Sequence, residues 1–377
     1  MIIGIDLRCL PVDGKAGAGV AHAARFLTLE LLASDVSWEW KLYVPKGVNF
    51  SMEERRAHSV IELRDASGSS LRSALQSDPC DLLFVPGGSI APRVPVRSIP
   101  WVHDIAIFDH PEWFPQSFLR RKLTTSLFVR GLKQAPIIFA VSDDTKRSLV
   151  RKFGLDPNRI IVTHEGGDLI LSSFSDEELV ERKMAAKKRI AALGISSSFI
   201  LTLGTVEPRK NIAMLIQAWS DAKFEFGRAV DLVIAGGVGW KHKDVEISIG
   251  QFGATKAGDS QIRRISVLDD EERRDLLLAA DLVALPSLHE GFGLVVLEAM
   301  QAGTALIASN AGAIPEVTGS DMLLLDPKDV GAWSKALTNL MKDDQARSRI
   351  AHAGKVHSKK FSWKKSAEVV AREIGKN

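Results

Sequence analysis

Short apolar runs rich in Val, Ile, Leu and Phe recur along the chain, each closed by Gly, Pro, Asp or Ser and separated by longer stretches with helical spacing. Runs of that kind predict strands buried on both faces, as in a parallel sheet, because a half-exposed strand would alternate apolar and polar residues instead. In the first half they fall at Ile2 to Asp6, Glu39 to Val44, Ser59 to Leu63, Leu82 to Val85, Ile99 to Val102, Ile137 to Val141 and Ile160 to Thr163. The second half offers Phe199 to Leu203, Asp231 to Ala235, Ile265 to Leu268, Leu282 to Leu285, Ala305 to Ser309 and Met322 to Leu325. Helical patterns lie between them, so both halves read as doubly wound α/β units. No short internal repeat or low-complexity tract is visible.

A chain of 377 residues exceeds what one core comfortably fills, so two domains are expected. The break is placed at 171–194, where a Ser-rich patch precedes a charged helix, Asp176 to Ala192, as in a linker. Residues 1–170 and 195–360 are then the two domains. Hydrophobic residues at 45%, charged residues at 25% and a net charge of +3 describe a globular chain with nothing that demands a nucleic-acid partner. Cys9 and Cys80 are too few for a disulfide framework and read as reduced thiols. Met1 leads straight into a strand and no apolar run approaches the ~20 residues of a membrane helix, so the expectation is a cytoplasmic protein.

The densest chemistry lies in Ser287 to Met300. A strand closes at Pro286, Gly291 and Gly293 let the backbone turn close to a ligand, and an apolar helix follows from Leu294 to Ala302. The first amides of that helix lack intrahelical acceptors and sit at the positive end of its dipole, a setting for a phosphate or pyrophosphate. Glu298 lies too deep to cap the helix. It can accept hydrogen bonds from ribose hydroxyls or serve as an ordinary salt-bridge partner. Glu290, before the turn, is placed to reach a different part of the same ligand. A second cluster, Gly204 to Asn211, follows the strand ending at Leu203 and carries Arg209 and Lys210 on a loop. A guanidinium fork beside a mobile ammonium suits a diphosphate, although an Arg-Lys pair alone is commonly surface charge.

Two weaker signals lie nearer the amino terminus. Gly14 to Val20 is a glycine loop before a helix from Ala21 to Ala33. Its G-x-x-G-x-G order misses the dinucleotide fingerprint and no Gly-Lys-Ser/Thr makes it a P-loop, so simple turn chemistry also accounts for it. His103 closes the strand that runs through Trp101, at the carboxyl end where open α/β sheets bind ligands. A lone His is as readily structural. No Ser-His-Asp order, Cys nucleophile or zinc spacing is present, which leaves little support for a covalent protein intermediate.

Taken together, Gly204 to Asn211, the Glu290/Glu298 pair spaced E-x7-E, and Ser309 to Glu316 resemble family four of the retaining glycosyltransferases, with the GT-B fold. The likeness runs through nearly the whole chain. It implies two Rossmann-like domains facing across a cleft and a last helix, within 361–377, that crosses back to the first domain. It assigns the donor diphosphate to Arg209 and Lys210, the donor sugar to Glu290 and the backbone of Gly291, Phe292 and Gly293, and the ribose to Glu298. Gly204 and Leu294, which flank these turns, join the donor-binding set, and Gly17 and Gly19 come near the donor phosphate. Many relatives carry Gly-Ile-Gly-Arg in that first loop, from which Ala18 and Val20 depart. His103 is assigned to the donor sugar at the reacting centre. The stretch Ile105 to Pro115 resembles the His-Asp-x6-Pro-Glu loop of bacterial mannosyltransferases of cell-surface polysaccharide synthesis, such as lipopolysaccharide O-antigen.

The resemblance implies a hexosyltransferase that takes mannose from GDP-mannose to a hydroxyl of a growing glycan or lipid-linked acceptor, without metal or cofactor. A UDP-sugar donor, a sugar-nucleotide epimerase and a non-catalytic nucleotide-binding scaffold are the alternatives. One further stretch, Ser117 to Lys133, carries Arg120, Arg121, Lys122, Arg130 and Lys133 among Phe118, Leu119, Leu123, Leu127, Phe128 and Leu132 with no acidic residue. It reads either as a basic amphipathic helix on an anionic membrane surface or as a helix packed on its own sheet.

Overall fold

The computed structural model describes residues 1–12, 19–34, 36–48, 59–253, 260–266, 269–320 and 322–376. Gly17 and the rest of 13–18 lie outside the described residues, whereas Gly19 opens the helix Gly19–Ala33. Among the described residues, thirteen strands form two all-parallel sheets. The first holds β1 (Ile2–Asp6), β2 (Glu39–Pro45), β3 (Ser59–Leu63), β4 (Leu82–Val85), β5 (Ser98–Val102), β6 (Ile138–Ala140) and β7 (Ile160–Val162), in the order β3-β2-β1-β4-β5-β6-β7. The second holds β8 (Phe199–Leu203), β9 (Asp231–Ala235), β10 (Ile262–Ile265), β11 (Leu282–Leu285), β12 (Leu306–Ser309) and β13 (Leu323–Leu325), in the order β10-β9-β8-β11-β12-β13. Both are doubly wound, with the direction of winding reversing beside β1 and beside β8. At such a switch point neighbouring loops diverge and leave a crevice for a ligand.

By packing the chain divides into two compact units: residues 1–111, 116–166 and 361–377, and residues 112–115 and 167–360. The second corrects the expected linker at 171–194. Helix Asp176–Ala192 packs against helix Asp270–Ala279, buries Leu179, Ala186 and Ile190, and pairs Arg189 with Asp275. Its apolar stripe is narrow and interleaved with Lys and Arg, which gave it the composition of a linker. Strand β10 also starts three residues before the expected Ile265, while Val267 and Leu268 lie outside the described residues. Its Ile-Arg-Arg-Ile sequence occupies the sheet edge, where Arg263 and Arg264 reach Asp231 and Glu246.

In the first unit, helix Trp363–Ile374 packs against helix Gly19–Ala33. Trp363 is buried between Phe26 and Trp101, with ring centroids at 6.1 and 6.4 Å. A Cβ on Gly166 would stand 2.4 Å from the Trp363 nitrogen, so only glycine fits beneath that helix start. Among the described residues no helix is long and apolar enough to cross a membrane.

Candidate active site

β8 and β11 are hydrogen-bonded neighbours at the switch point of the second sheet, through Leu282↔Ile200 and Val283↔Leu201. The two sequence clusters follow these strands and therefore emerge side by side. After β8, Gly204 adopts φ +137, a 3-10 turn covers Pro208–Lys210, and Asn211 takes a left-handed conformation before helix Ile212–Ala222. The Asn211 amide donates to the carbonyls of Pro286 (3.2 Å) and Pro327 (2.7 Å), while Leu288 N–H donates to the Arg209 carbonyl at 2.8 Å. These bonds fasten the Arg-Lys turn to the loop after β11. At the far end of that loop Gly293 is left-handed and opens helix Leu294–Gln301 as an N-cap without a side chain of its own. The Phe292 ring is buried, so only its backbone faces the turn.

The third sequence motif acts through the backbone. Ala313 N–H donates to the Glu290 carbonyl at 2.9 Å, and a Cβ on Gly312 would come within 2.4 Å of that same oxygen. Ser309 Oγ donates to the Ser287 carbonyl. The segment from Ser309 to Ala313 thus presses Glu290 into place.

Arg209, Lys210 and Glu290 form one largely buried ion cluster. Arg209 Nη1 donates to Glu290 Oε2 at 2.7 Å and to the His289 carbonyl at 3.0 Å; its Nε and Nη2 donate to Glu207 Oε1 at 3.1 and 2.9 Å. Lys210 Nζ and Ser287 Oγ each donate to Glu290 Oε1 at 2.6 Å. The sequence placed Arg209 and Lys210 for a diphosphate and Glu290 for a different part of the same ligand; in the structure the three side chains are bonded to one another. Two positive side chains face two carboxylates. Burial alone would raise the Glu290 pKa, but the Lys210 and Arg209 charges outweigh it and push it down to about 2. Glu290 is therefore an anion at neutral pH and no proton donor. Glu207 and Ser287 were not singled out from the sequence; a carboxylate two residues before the Arg was the available signal.

Glu298, the expected ribose ligand, projects from the helix into a second buried cluster. Arg273 Nη1 donates to Glu298 Oε2, and Asp168 Oδ2 lies 3.7 Å from Arg273 Nη2 and 3.3 Å from Arg274 Nη1. Burial, and behind it the nearby Asp168 and Asp270, hold the Glu298 carboxyl above its usual range despite Arg273. Glu298 Oε1 is buried with no hydrogen-bond partner among the described residues. A buried acceptor without a donor is uncommon and costly, and a ligand hydroxyl would supply the missing bond. One Glu298 oxygen is thus in a salt bridge and the other is not.

His103, in the first unit, has both ring nitrogens engaged. Nδ1 lies 2.8 Å from Glu165 Oε1 and Nε2 lies 2.7 Å from the Pro86 carbonyl. A carbonyl requires a donor, and so does an ionised carboxylate, which makes the ring an imidazolium paired with Glu165. Burial works against that charge, but the hydrogen bond and charge of Glu165, with Pro86 and Asp104, raise the His103 pKa above its ordinary value. In this arrangement neither nitrogen is free for a sugar, and the expected contact requires one of them to exchange partners. A raised folded-state value means the ring adds stability that is fully present below about pH 6.5, the unfolded value, and is lost as pH rises through the folded one. Urea midpoints of the wild type are therefore expected to fall from pH 6 to pH 9. Glu165→Gln is expected to flatten that slope; an equal slope in the variant would show that the pair does not titrate as described.

The family described as "Glycosyl transferases group 1" matches residues 186–357, the stretch that carries both clusters of the second unit. An O-antigen chain mannosyltransferase B of Escherichia coli is 34% identical over 267 residues, covering 71% of this chain and 67% of the relative. The chain belongs to the glycosyl transferases group 1. A D-inositol 3-phosphate glycosyltransferase of Corynebacterium efficiens is 27% identical over 256 residues, covering 67% of this chain and 58% of its own length. Anabaena HepE, solved in complex with UDP and glucose, superposes with a TM-score of 0.75 at 18% identity over 100% of both chains. At that identity the likeness shows the fold, GT-B, to which each unit contributes one parallel-sheet domain. As a group 1 glycosyltransferase the chain is an enzyme of sugar transfer.

Proposed function

We propose that this glycosyltransferase moves mannose from GDP-mannose to a hydroxyl of a cell-surface glycan or lipid-linked oligosaccharide, keeping the anomeric configuration of the sugar. The observation that carries the donor site is the joining of Arg209, Lys210 and Glu290 at the carboxyl ends of β8 and β11, beside a helix whose N-cap is a glycine. The donor diphosphate replaces Glu290 on the two cations, and Glu290 turns to the sugar hydroxyls. Ribose hydroxyls donate to the vacant oxygen of Glu298. The bond from the anomeric carbon to the diphosphate breaks and a bond to the acceptor oxygen forms on the same face. The acceptor proton passes to the departing phosphate oxygen. Arg209, Lys210 and the helix amides meet the developing negative charge, so no divalent metal is required. Mannose is favoured by the likeness to the E. coli O-antigen chain mannosyltransferase and by the loop from His103 to Glu112.

A thermal-shift panel of GDP, UDP, GDP-mannose and UDP-glucose tests the donor. GDP and GDP-mannose are expected to raise the melting midpoint most. A preference for the uracil nucleotides would discard the mannose donor and favour a UDP-sugar.

The membrane reading draws support from helix Phe118–Gln134. Leu119, Leu123 and Leu127 are 78%, 61% and 37% exposed, and Arg120, Lys122, Arg130 and Lys133 are exposed with them. At about 100° per residue these seven side chains fall within an arc of about 160°, so the cations and the apolar stripe share one face. Flotation with anionic liposomes at low salt is expected to carry the protein upward, and Leu119→Glu/Leu123→Glu to abolish it. Wild-type protein left at the bottom of the gradient would remove the membrane claim.

A further inference from the structure

Residues 112–115 lie in the chain between β5 and helix Phe118–Gln134, yet by packing they belong to the second unit. They form a short strap with a specific seat. The Trp240 indole N–H donates to the Trp113 carbonyl at 2.7 Å, and the Trp240 ring lies 5.7 Å from that of Phe114. The Lys241 ammonium donates to the Glu112 carbonyl, from a residue held at φ +51, a conformation that side chains other than Gly rarely adopt.

The strap's seat is the connection from β9 to helix Lys243–Phe252, which contains Gly236, Gly237 and Gly239 and would be loose by composition. It is pinned on its other side to the loop after β8. Val206 N–H donates to the Gly237 carbonyl at 2.9 Å, Gly239 N–H donates to the Val206 carbonyl at 3.1 Å, and Val206 and Val238 pair as an isolated bridge. A Cβ on Gly236 would sit 2.4 Å from the Gly204 carbonyl, and one on Gly204 would sit 3.6 Å from Lys210 Nζ. The contacts therefore run without a gap from the strap through Trp240 and the glycine connection to the backbone under Lys210. Gly237 and Val238 are exposed at this same end of the sheet, where β9 adjoins β8.

We propose that the Glu112–Pro115 strap, through Trp240 and Lys241, fixes the β9 connection as one wall of the nucleoside diphosphate site, making Trp240 a positioning residue for donor binding. The inference rests on the reading of the β8–β11 end as the donor site. Losing the wall weakens nucleotide binding and leaves the transfer step itself, which depends on the ion cluster, nearly intact.

Trp240→Phe keeps a ring against Phe114 and removes only the N–H donor; Trp240→Ala removes both. Calorimetric titration with GDP and UDP, alongside KM for the donor, kcat and a thermal melt, separates the cases. The expected result is binding of the preferred diphosphate weaker by about tenfold in Trp240→Ala and by a smaller factor in Trp240→Phe, from loss of an aromatic contact and one neutral hydrogen bond. KM rises in step, and kcat stays within about twofold, because the groups stronger in the transition state are untouched. Wild-type binding equalled by both variants overturns the inference alone, and Trp240→Phe decides it if Trp240→Ala does not fold. Equal losses in kcat and affinity also overturn it, since they place Trp240 in the chemistry. Wild-type protein that binds neither nucleotide overturns the donor-site reading and this inference with it.

Discussion

Lys210→Ala is expected to fold normally and to lose at least about a hundredfold in turnover, the scale seen when one preorganised donor is removed from a site of developing negative charge. The fold survives because nothing buried is orphaned. Glu290 keeps Arg209 at 2.7 Å and Ser287 at 2.6 Å, and the turn is held by its own backbone, with Lys210 N–H on the Glu207 carbonyl at 3.1 Å. Turnover falls because the ammonium is the mobile charge of the cluster. It sits above Gly204, where no side chain blocks it, and it can follow the departing phosphate oxygen as charge grows there. Arg209 is less free to do so, since Glu207 holds its other edge. The measurement is nucleoside diphosphate released from donor in the presence of a glycan acceptor, with a thermal melt as the control for folding. EDTA is expected to leave wild-type turnover unchanged, and Lys210→Arg to restore only part of it. Near-normal rates in Lys210→Ala would remove the cations from the mechanism, and inhibition by EDTA would give their role to a metal.

Most of the fold could be read from the chain because a strand buried on both faces has to be apolar at every position. Twelve of the thirteen strands coincide with such runs to within a residue or two. β10 escaped because an edge strand is only half covered and can carry Arg263 and Arg264. Helix Asp176–Ala192 escaped because three buried residues in a charged helix suffice to dock it. For the site, the legible part was backbone: Gly204, Gly293 and Gly312 mark places where φ is positive or another chain segment passes too closely for a Cβ. The illegible part was pairing. Lys210 and Glu290 meet across 80 positions, and His103 and Glu165 across 62, joined only by the sheet order. Arg273 sits in the run from Asp269 to Asp275, which has the composition of a solvated helix start, yet its side chain is mostly buried. Sequence spacing proposes which residues carry charge. It does not say which charges cancel, and the balance of Arg209 and Lys210 against Glu290 and Glu207 follows only from the packing.

Glu298→Ala is expected to have the largest effect on nucleotide recognition and a clear effect on stability. Removing one partner of a buried ion pair commonly costs about 3 to 5 kcal/mol because the other charge is left behind. Arg273 retains Asp168 at 3.7 Å and is partly open to water, so a loss of about 2 to 3 kcal/mol in unfolding free energy is the expectation on that scale. A double-mutant cycle with Arg273→Ala should return a coupling energy of comparable size. Stability alone would not distinguish a ribose ligand from a structural salt bridge; a test aimed at Oε1, which has no hydrogen-bond partner among the described residues, does. If ribose hydroxyls donate to it, the wild-type enzyme must prefer GDP over its 2′,3′-dideoxy analogue, and a hydrogen bond to a charged acceptor is worth about 1.5 to 3 kcal/mol, or roughly ten- to a hundredfold. Glu298→Ala should bind both analogues with the same weakened affinity, because the group that reads the hydroxyls is gone. Discrimination that persists in the variant would assign the ribose to other residues and leave Glu298 as the counter-charge of Arg273.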